Sequence, residues 1–389
     1  MDILFLVLLA VASYIYLYKV QKSLSKTNFT NLVYLYFYHL LFGLYYYFFV
    51  FGDSIGFWNQ SSILSFETFL YCLTEQKGTL FIYALNYIPA NVLGLSYFTG
   101  TMIYTFIGFL GVSYFYRLSI LLIPENPKIN TFSLFPFLFF LPNLHFWSCA
   151  VGKDTLLFFA IGIASLALTD LKKKWIFFLF ALFLSYLVRP HITLFILVAL
   201  AMSILFGQST ALYKKVFLSG IMVGLLLYIL PNVMEFARLE EATLDSFNSF
   251  AETKASKLGS VNNSTAIDIS SYPFVFKVFT FLFRPLPFDI NSIPTLLAAL
   301  ENLLLVFLFV IGFKFAYFKS IKSAPFVIRF MVYFLIIGTV AFSQTLGNLG
   351  IMLRMRNMFL PAILFIFYWH FYYSTIPYRS LNKGSHKNI

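Results

Sequence analysis

Charged residues are scarce in this chain of 389 residues: Asp, Glu, Lys and Arg together make up 11% of it, and only 15 side chains are carboxylates. A soluble globular domain carries about 25% charged residues. Hydrophobic residues account for 60% of the chain, which has 52 Phe and 26 Tyr. So small a polar share cannot cover a water-exposed surface. The composition excludes a soluble protein and predicts a polytopic membrane protein.

Cysteine is also scarce, and the common nucleotide and metal motifs are missing. The two cysteines, Cys72 and Cys149, cannot form the framework of a disulfide-rich fold, and we do not expect them to pair. The sequence has no His-Glu-x-x-His motif and no Cys cluster. The Gly-Lys pair of "VGKDT" lacks the upstream glycine of a phosphate-binding loop. The sequence therefore predicts no metal site and no cofactor.

Long apolar stretches recur along the whole chain, and most approach the roughly 17 to 25 residues that a helix needs to cross a bilayer. They predict an all-α bundle of about eleven spans that forms a single membrane domain over residues 1–389. Residues 3–18 are interpreted as a retained first helix, because a signal peptide would carry its basic residues before the apolar core. The predicted spans are 3–18, 32–51, 97–116, 131–147, 155–170, 175–188, 192–206, 216–231, 294–313, 326–342 and 358–375.

The basic residues indicate the orientation of these spans. In an eleven-span arrangement with the N-terminus outside, 17 of the 27 Lys and Arg residues fall in short loops on the cytoplasmic side, as the positive-inside rule expects. The C-terminus is then cytoplasmic. The net charge of +12 is thus interpreted as an orientation signal and as attraction to anionic membrane lipids, not as a sign of nucleic-acid binding.

Two long segments remain on the outer side. Residues 52–96 contain apolar residues at helical spacing broken by acidic ones, which predicts amphipathic helices lying along the membrane interface. Residues 232–293 form the longest polar segment, with an amphipathic stretch followed by a Gly/Ser/Asn-rich one. Loops of this length are often lids or binding loops. We hypothesise that the second segment closes over an acceptor molecule.

Ionisable residues from five separate connections fall at this same outer face. Charges near hydrocarbon are costly, so their convergence predicts either a polar cavity or mutual pairing. Plainer interpretations remain open: interfacial anchoring for Arg189 and His191, and a helix-capping ion pair for Lys153 and Asp154. The residues are Asp53, His145, Lys153, Asp154, Arg189, His191, Arg284, Glu301, Arg354 and Arg356.

Two of these positions suggest a specific chemistry. Arg354 and Arg356 lie two residues apart after the pliable "GNLG", and guanidinium groups bind phosphate oxygens in a forked geometry. With Arg189 and Arg284 they predict a site for an anionic headgroup or a phosphate leaving group. Asp53, in "FGDSIGFWNQ", is positioned to take a proton from a sugar hydroxyl, although a surface carboxylate in a turn is a plainer alternative.

The segments "FGDSIGFWNQ", "LHFWSCAVGKD", "VRPH", "FLFRPLPFDINSIPTLLAALEN" and "NLGIMLRMRNMFLP" resemble multi-spanning glycosyltransferases of the lipid-dependent C-fold superfamily, and bacterial O-antigen and polysaccharide polymerases. This resemblance implies a general-base or hydroxyl-binding role for Asp53. It implies binding of the carrier phosphates for Arg354, Arg356, Arg284, Arg189 and His191, with support from Lys153, Asp154 and His145. The first outer loop lacks the paired acids of many superfamily members, and the chain has no soluble C-terminal domain, so a metal-dependent mechanism is not expected.

The resulting expectation is a bacterial inner-membrane enzyme of surface-glycan biosynthesis, with its N-terminus in the periplasm. It would transfer or polymerise sugar from a polyprenyl-phosphate or polyprenyl-pyrophosphate carrier at the periplasmic face, beside other glycan-assembly proteins. Two alternatives stay open. A transporter or flippase would bind an anionic or lipid-linked substrate with the same arginines. A non-catalytic assembly protein would pair these charges with one another.

Overall fold

The computed structural model describes residues 1–74, 77–123, 128–129, 132–207, 212–237, 253–255, 265–269, 271–313 and 317–375. This part of the chain is helical apart from one hairpin of two-residue strands, β1 (Lys128–Ile129) and β2 (Phe132–Ser133). The helices are α1 (Asp2–Gln21), α2 (Lys26–Phe49), α3 (Asp53–Ser62), α4 (Phe66–Thr74), α5 (Thr79–Asn86), a π-helix (Tyr87–Val92), α6 (Tyr97–Leu122), a 3-10 helix (Phe137–Phe140), α7 (Pro142–Phe146), α8 (Lys153–Ala167), α9 (Leu171–Val188), α10 (Pro190–Leu205), α11 (Leu212–Ala237), α12 (Phe274–Phe283), a 3-10 turn (Pro287–Asp289), α13 (Ile293–Phe313), α14 (Tyr317–Lys322), α15 (Phe326–Thr345), α16 (Leu349–Arg356) and α17 (Leu360–Thr375).

Five of the described helices are long and apolar enough to cross a membrane, as expected of a multi-pass membrane protein. They are α1, α2, α6, α13 and α15. A sixth span is possible if α16 and α17, which are bent by 61° against each other, count as one. The predicted number of about eleven spans is not confirmed. The difference arises because α8 and α10 have only 15 and 16 residues, and because α9 begins with three lysines.

The predicted span 131–147 is wrong as a helix. The described part of this segment consists of β2, a 3-10 turn and the five-residue α7. Pro136 and Pro142 explain why no continuous helix forms here, since proline cannot donate a backbone hydrogen bond inside a helix. The segment lies instead against α2 and α6: Tyr38 donates to the Phe140 carbonyl at 3.1 Å, and Thr105 donates to the Cys149 carbonyl at 3.1 Å. Irregular backbone at membrane depth is tolerated where protein covers it.

The long helix α6 forms the centre of the bundle, and small residues let its neighbours approach closely. A Cβ atom at Gly108 would overlap the carbonyl oxygen of Ser148, and one at Gly111 would press on the Phe158 ring. Both neighbours are buried. The irregular segment before α8 is therefore held against α6 by backbone-to-backbone contact, which only glycine permits.

We expect Gly108→Ala to destabilise the protein by about 2 kcal/mol or more, because the Ser148 carbonyl is backbone and cannot rotate away. The thermal unfolding midpoint of the purified protein in detergent measures this effect. Gly220→Ala in α11 is the matched control, since a Cβ there meets no heavy atom within 4 Å. Equal unfolding midpoints for the two variants would show that the segment does not pack on α6 in this way.

The two long segments that were predicted on the outer side contain more helix than their sequences suggested. Residues 52–96 hold α3, α4, α5 and the π-helix, in agreement with the predicted amphipathic helices. The segment 232–293 contains the apolar helix α12, which the sequence analysis missed by treating this stretch as one polar loop. Residues 238–252, 256–264 and 270 of that segment, and with them much of the hypothetical lid, lie outside the described residues. Cys72 and Cys149 are both buried and unpaired.

Candidate functional site

Four charged side chains from separate connections meet at one end of the helix bundle. Asp53 opens α3, Asp154 lies in the first turn of α8, Arg189 separates α9 from α10, and Arg354 lies in α16. We call these four residues the charged cluster. Its most exposed contact joins Asp53 to Arg354, which lie 301 residues apart in the chain. The structure thus brings together the candidate base and two of the four candidate phosphate-binding arginines.

Arg354 links the two carboxylates of the charged cluster. Its Nη1 donates to Asp53 Oδ2 at 2.9 Å, and its Nε donates to Asp154 Oδ2. On the other side, Arg189 Nη2 lies 3.1 Å from Asp154 Oδ1, an ion pair without the angles of a hydrogen bond. The side chains of Asp154 and Arg189 are each 9% exposed, whereas that of Asp53 is 64% exposed. The cluster therefore has a buried half and an open half.

Local sequence explains why these side chains occupy their positions. Asp53 directly follows Gly52 and Asp154 comes two residues after Gly152, and both lie in the first turn of a helix, where the helix dipole stabilises a carboxylate. Gly152, before α8, has φ +148°, a conformation that favours glycine. Arg189 precedes a proline, which keeps its backbone extended and starts α10 at once. This tight turn leaves Arg189 in the interior between two helices.

The first two residues of α8 have shifted pKa values. Burial alone would raise the pKa of Asp154, but Arg189 and Arg354 lower it below its ordinary value, so the carboxylate is ionised at neutral pH. Burial, together with the charge of Arg189, lowers the pKa of Lys153 to about 8. Lys153 Nζ donates to Thr79 Oγ1 at 2.9 Å and lies 5.7 Å from the centre of the Phe57 ring. Its ammonium group thus borders the charged cluster.

Because Lys153 loses its proton as the pH rises through about 8, we expect an anion to bind the cluster less tightly at pH 9 than at pH 7. Removal of one nearby positive charge should weaken binding by about fivefold to tenfold. Lys153→Arg should abolish most of this pH dependence, since a guanidinium stays charged over the range. Titrating the purified protein with a fluorescent polyprenyl phosphate at both pH values measures the effect. Identical pH profiles for the two proteins would exclude Lys153 from the site.

Lys254 is a further basic residue near the cluster that the sequence analysis did not single out. It lies in the short described stretch 253–255, and burial lowers its pKa, with a further decrease from the charge of Arg189. Its neighbour Ala255 is buried, so this stretch packs against the protein. In sequence Lys254 is one of several polar residues in a long segment. No spacing there distinguishes it, so only the three-dimensional arrangement identifies it.

Arg356 does not share a ligand with Arg354. Residues two positions apart in an α-helix point about 200° away from each other, so the two guanidinium groups of α16 face opposite directions. Arg356 is buried and donates to the Leu282 carbonyl at 2.6 Å and to Asn302 Oδ1 at 2.6 Å. It also lies 3.3 Å from the Arg284 carbonyl oxygen. These contacts tie the C-terminal end of α12 to α13 and α16.

Arg284 is likewise engaged within its own turn. Its Nε donates to Asp289 Oδ2 at 3.0 Å and its Nη2 to Asp289 Oδ1 at 2.5 Å. The same Asp289 Oδ2 accepts a hydrogen bond from the Leu286 amide at 2.8 Å. The forked ion pair stabilises the turn between α12 and α13. The structure thus places Arg284 and Arg356 apart from the charged cluster, with Arg356 close to the buried Glu301 of α13.

The histidines also have interior partners. His145 Nδ1 lies 2.9 Å from His39 Nδ1, and its Nε2 lies 2.7 Å from the Phe139 carbonyl oxygen; both rings are fully buried. His191, in the first turn of α10, packs edge-on against the rings of Phe195 and Phe342. His145 was predicted to support phosphate binding, but its contacts are with α2 and the irregular segment.

No family model, curated protein or solved structure matches the chain. Among the residues that the structure describes, no three His, Cys, Asp or Glu side chains are grouped so that they could hold a metal ion. The chemistry that the site can support follows from its geometry. That geometry offers a carboxylate open to solvent, held by an arginine that is anchored from behind by a buried ion pair.

Proposed function

We propose that the protein is a membrane glycosyltransferase or polysaccharide polymerase that uses a sugar carried on a polyprenyl phosphate or pyrophosphate. The observation that supports this most directly is the charged cluster: an exposed carboxylate, Asp53, beside a fixed guanidinium, Arg354. A transferase of this kind needs a group that takes a proton from the attacking hydroxyl and a cation that stabilises the departing phosphate. The cluster supplies both within one ion pair.

The proposed reaction uses these two groups in turn. The acceptor hydroxyl oxygen attacks the anomeric carbon of the donor sugar, and its proton passes to the Asp53 carboxylate. The bond between the anomeric carbon and the phosphate oxygen breaks, and its electron pair stays on that oxygen. Arg354 and Lys153 stabilise the charge that develops on the leaving phosphate, while Arg189 and Asp154 hold Arg354 in position. Arg356 and Arg284 position the surrounding helices.

The location of the cluster suits a lipid-linked donor. Helix α8 has 15 residues and is about 22 Å long, shorter than the roughly 30 Å hydrocarbon core. If Lys172, Lys173 and Lys174 after α8 lie at one membrane surface, Lys153 and Asp154 lie close to the other. A phosphate group attached to a lipid reaches this position without leaving the membrane.

We place the protein in a bacterial inner membrane, with the cluster and the N-terminus on the periplasmic side and the C-terminus in the cytoplasm. The basic loops support this orientation. We retain about eleven crossings, with the irregular segment 132–152 replacing one helix as a crossing. This is supported by contacts at its two ends. Phe135 stacks on Tyr116, near the end of α6, whose hydroxyl donates to the Asn28 carbonyl at the start of α2, whereas Asp154, just after the segment, contacts Arg354.

The experiment that tests this function is transfer of a radiolabelled sugar from a lipid-linked donor by the purified protein in lipid nanodiscs. Labelled glycan should appear with wild-type protein and depend on the acceptor. Periplasmic labelling of single cysteines introduced at positions 53 and 354 tests the orientation. Labelling of these two positions from opposite sides would contradict the proposal.

A transporter or flippase is a second candidate, because the helix pair α16 and α17 is bent by 61° and carries the buried Arg356 close to Glu301. Discontinuous helices and buried charges at membrane depth are typical of substrate sites in secondary transporters. Movement of an intact lipid-linked glycan across liposomes containing the protein, without any new glycosidic bond, would favour this function over transfer.

A further inference from the structure

The charged cluster contains one contact that a ligand can replace at low cost. Arg354 is shared between Asp154, which is buried, and Asp53, whose side chain is 64% exposed. Ion pairs exposed to water contribute little to stability, whereas a charge left unpaired in the interior is costly. An anion that binds the Arg354 guanidinium therefore competes with two carboxylates, of which one is buried and the other is exposed. Asp154 stays in place because Arg189 also holds it, and Asp53 is the partner that can leave.

The charges around the cluster favour such an anion. Three cationic side chains, Lys153, Arg189 and Arg354, are electrostatically coupled there to two carboxylates, Asp53 and Asp154. These five groups together carry one positive charge in excess. The negative charge of a phosphate group would neutralise it, and the phosphate oxygens would accept hydrogen bonds from the donors that now face Asp53.

We propose that the phosphate of the lipid-linked donor displaces Asp53 from Arg354, and that this displacement frees the Asp53 carboxylate to accept the proton of the acceptor hydroxyl. This inference rests on the proposed function and adds an order of events to it. Without donor, Oδ2 of this carboxylate accepts a hydrogen bond from Arg354, whose positive charge makes the carboxylate a weaker base. Base and donor are thereby coupled, so the acceptor is activated only when a donor is present.

The start of α3 is suited to both states of Asp53. The carboxylate lies in the first turn of that helix. There, unpaired backbone N–H groups and the helix dipole stabilise its negative charge once the contact with Arg354 is broken. The preceding Gly52 is exposed, and the atom nearest to a Cβ placed there is Tyr46 Oη at 3.9 Å. Because 64% of the Asp53 side chain is exposed, it can turn away from Arg354 without displacing a packed neighbour.

Binding of a fluorescent polyprenyl phosphate to the full-length protein in phosphatidylcholine nanodiscs tests this order of events, with the corresponding polyprenol as the phosphate-free control. Asp53→Asn and Asp53→Ala should both bind the phosphate probe about twofold to fivefold more tightly than wild type, because a competitor for Arg354 is gone. Arg354→Ala should bind it at least about tenfold more weakly. Asp170→Asn removes a carboxylate paired with Lys173 outside the cluster and should leave the affinity unchanged.

Equal or weaker probe binding by both Asp53 variants would overturn the inference, since Asp53 would then help to hold the donor. Sugar transfer measured on the same preparations separates this failure from failure of the proposed function. Tighter probe binding by the variants together with no transfer by wild type would retain the anion site and reject the transferase. Transfer by wild type together with weaker binding by the Asp53 variants would retain the transferase and reject the displacement.

Discussion

Asp53→Asn and Arg354→Ala should each lower sugar transfer by at least about 100-fold and stop extension of the surface glycan, without lowering the amount of protein in the membrane. Loss of a positioned base typically costs this much or more, and so does loss of a cation at a developing negative charge. Folding should survive because Asp53 is exposed and because Asp154 keeps Arg189 as a partner when Arg354 is removed. Glycan chain length in cells and transfer by purified protein measure the two effects.

A matched control for these variants is Asp170→Asn. This substitution also removes one carboxylate at the start of a helix: Asp170 is the N-cap of α9 and lies just after the C-terminal end of α8, far from the cluster. It should leave transfer within about twofold of wild type. Near-normal glycan chains in cells expressing either cluster variant would count decisively against the proposed roles of Asp53 and Arg354. A drop in protein abundance would instead indicate that the cluster is structural, as in a non-catalytic assembly protein.

Arg356→Ala should unfold or strongly destabilise the protein, by about 3 to 5 kcal/mol, even though Arg356 is only two residues from Arg354. Arg356 is 2% exposed and donates to the carbonyls at the end of α12 and to Asn302 of α13. Its removal leaves these acceptors without this donor in the interior, and it takes away the positive charge near the buried Glu301. Membrane abundance and the thermal unfolding midpoint in detergent should both fall.

Arg354→Ala is the control within the same helix, and it should retain an unfolding midpoint much closer to that of wild type. Arg356→Lys should recover little of the loss, since one ammonium group cannot reach acceptors on two helices in the planar geometry of a guanidinium. A stable, abundant but inactive Arg356→Ala protein would contradict the structural assignment. It would favour the sequence-based hypothesis that Arg356 binds the donor phosphates directly.

The two arginines of "LRMRN" show where inference from sequence ends. In sequence they form a single basic motif, and their spacing suggested one ligand for both. The structure makes them part of an eight-residue helix, so they point to opposite sides. Whether this stretch is extended or helical depends on how α15 ends and α17 begins, which local composition does not specify. The same applies to 131–147, whose apolar composition suits a helix although its prolines do not.

The sequence alone determined that this is a polytopic, helical membrane protein, because the apolar content and the scarcity of charge leave no other environment for so many Phe and Tyr side chains. It also identified Asp53, Asp154, Arg189 and Arg354 as unusual, since charges beside apolar spans carry a free-energy cost that needs a reason. Only the tertiary structure decided which charges meet. Contacts between residues hundreds of positions apart depend on how the helices pack, and packing placed these four in one cluster while it assigned Arg284, Arg356 and His145 to interior partners.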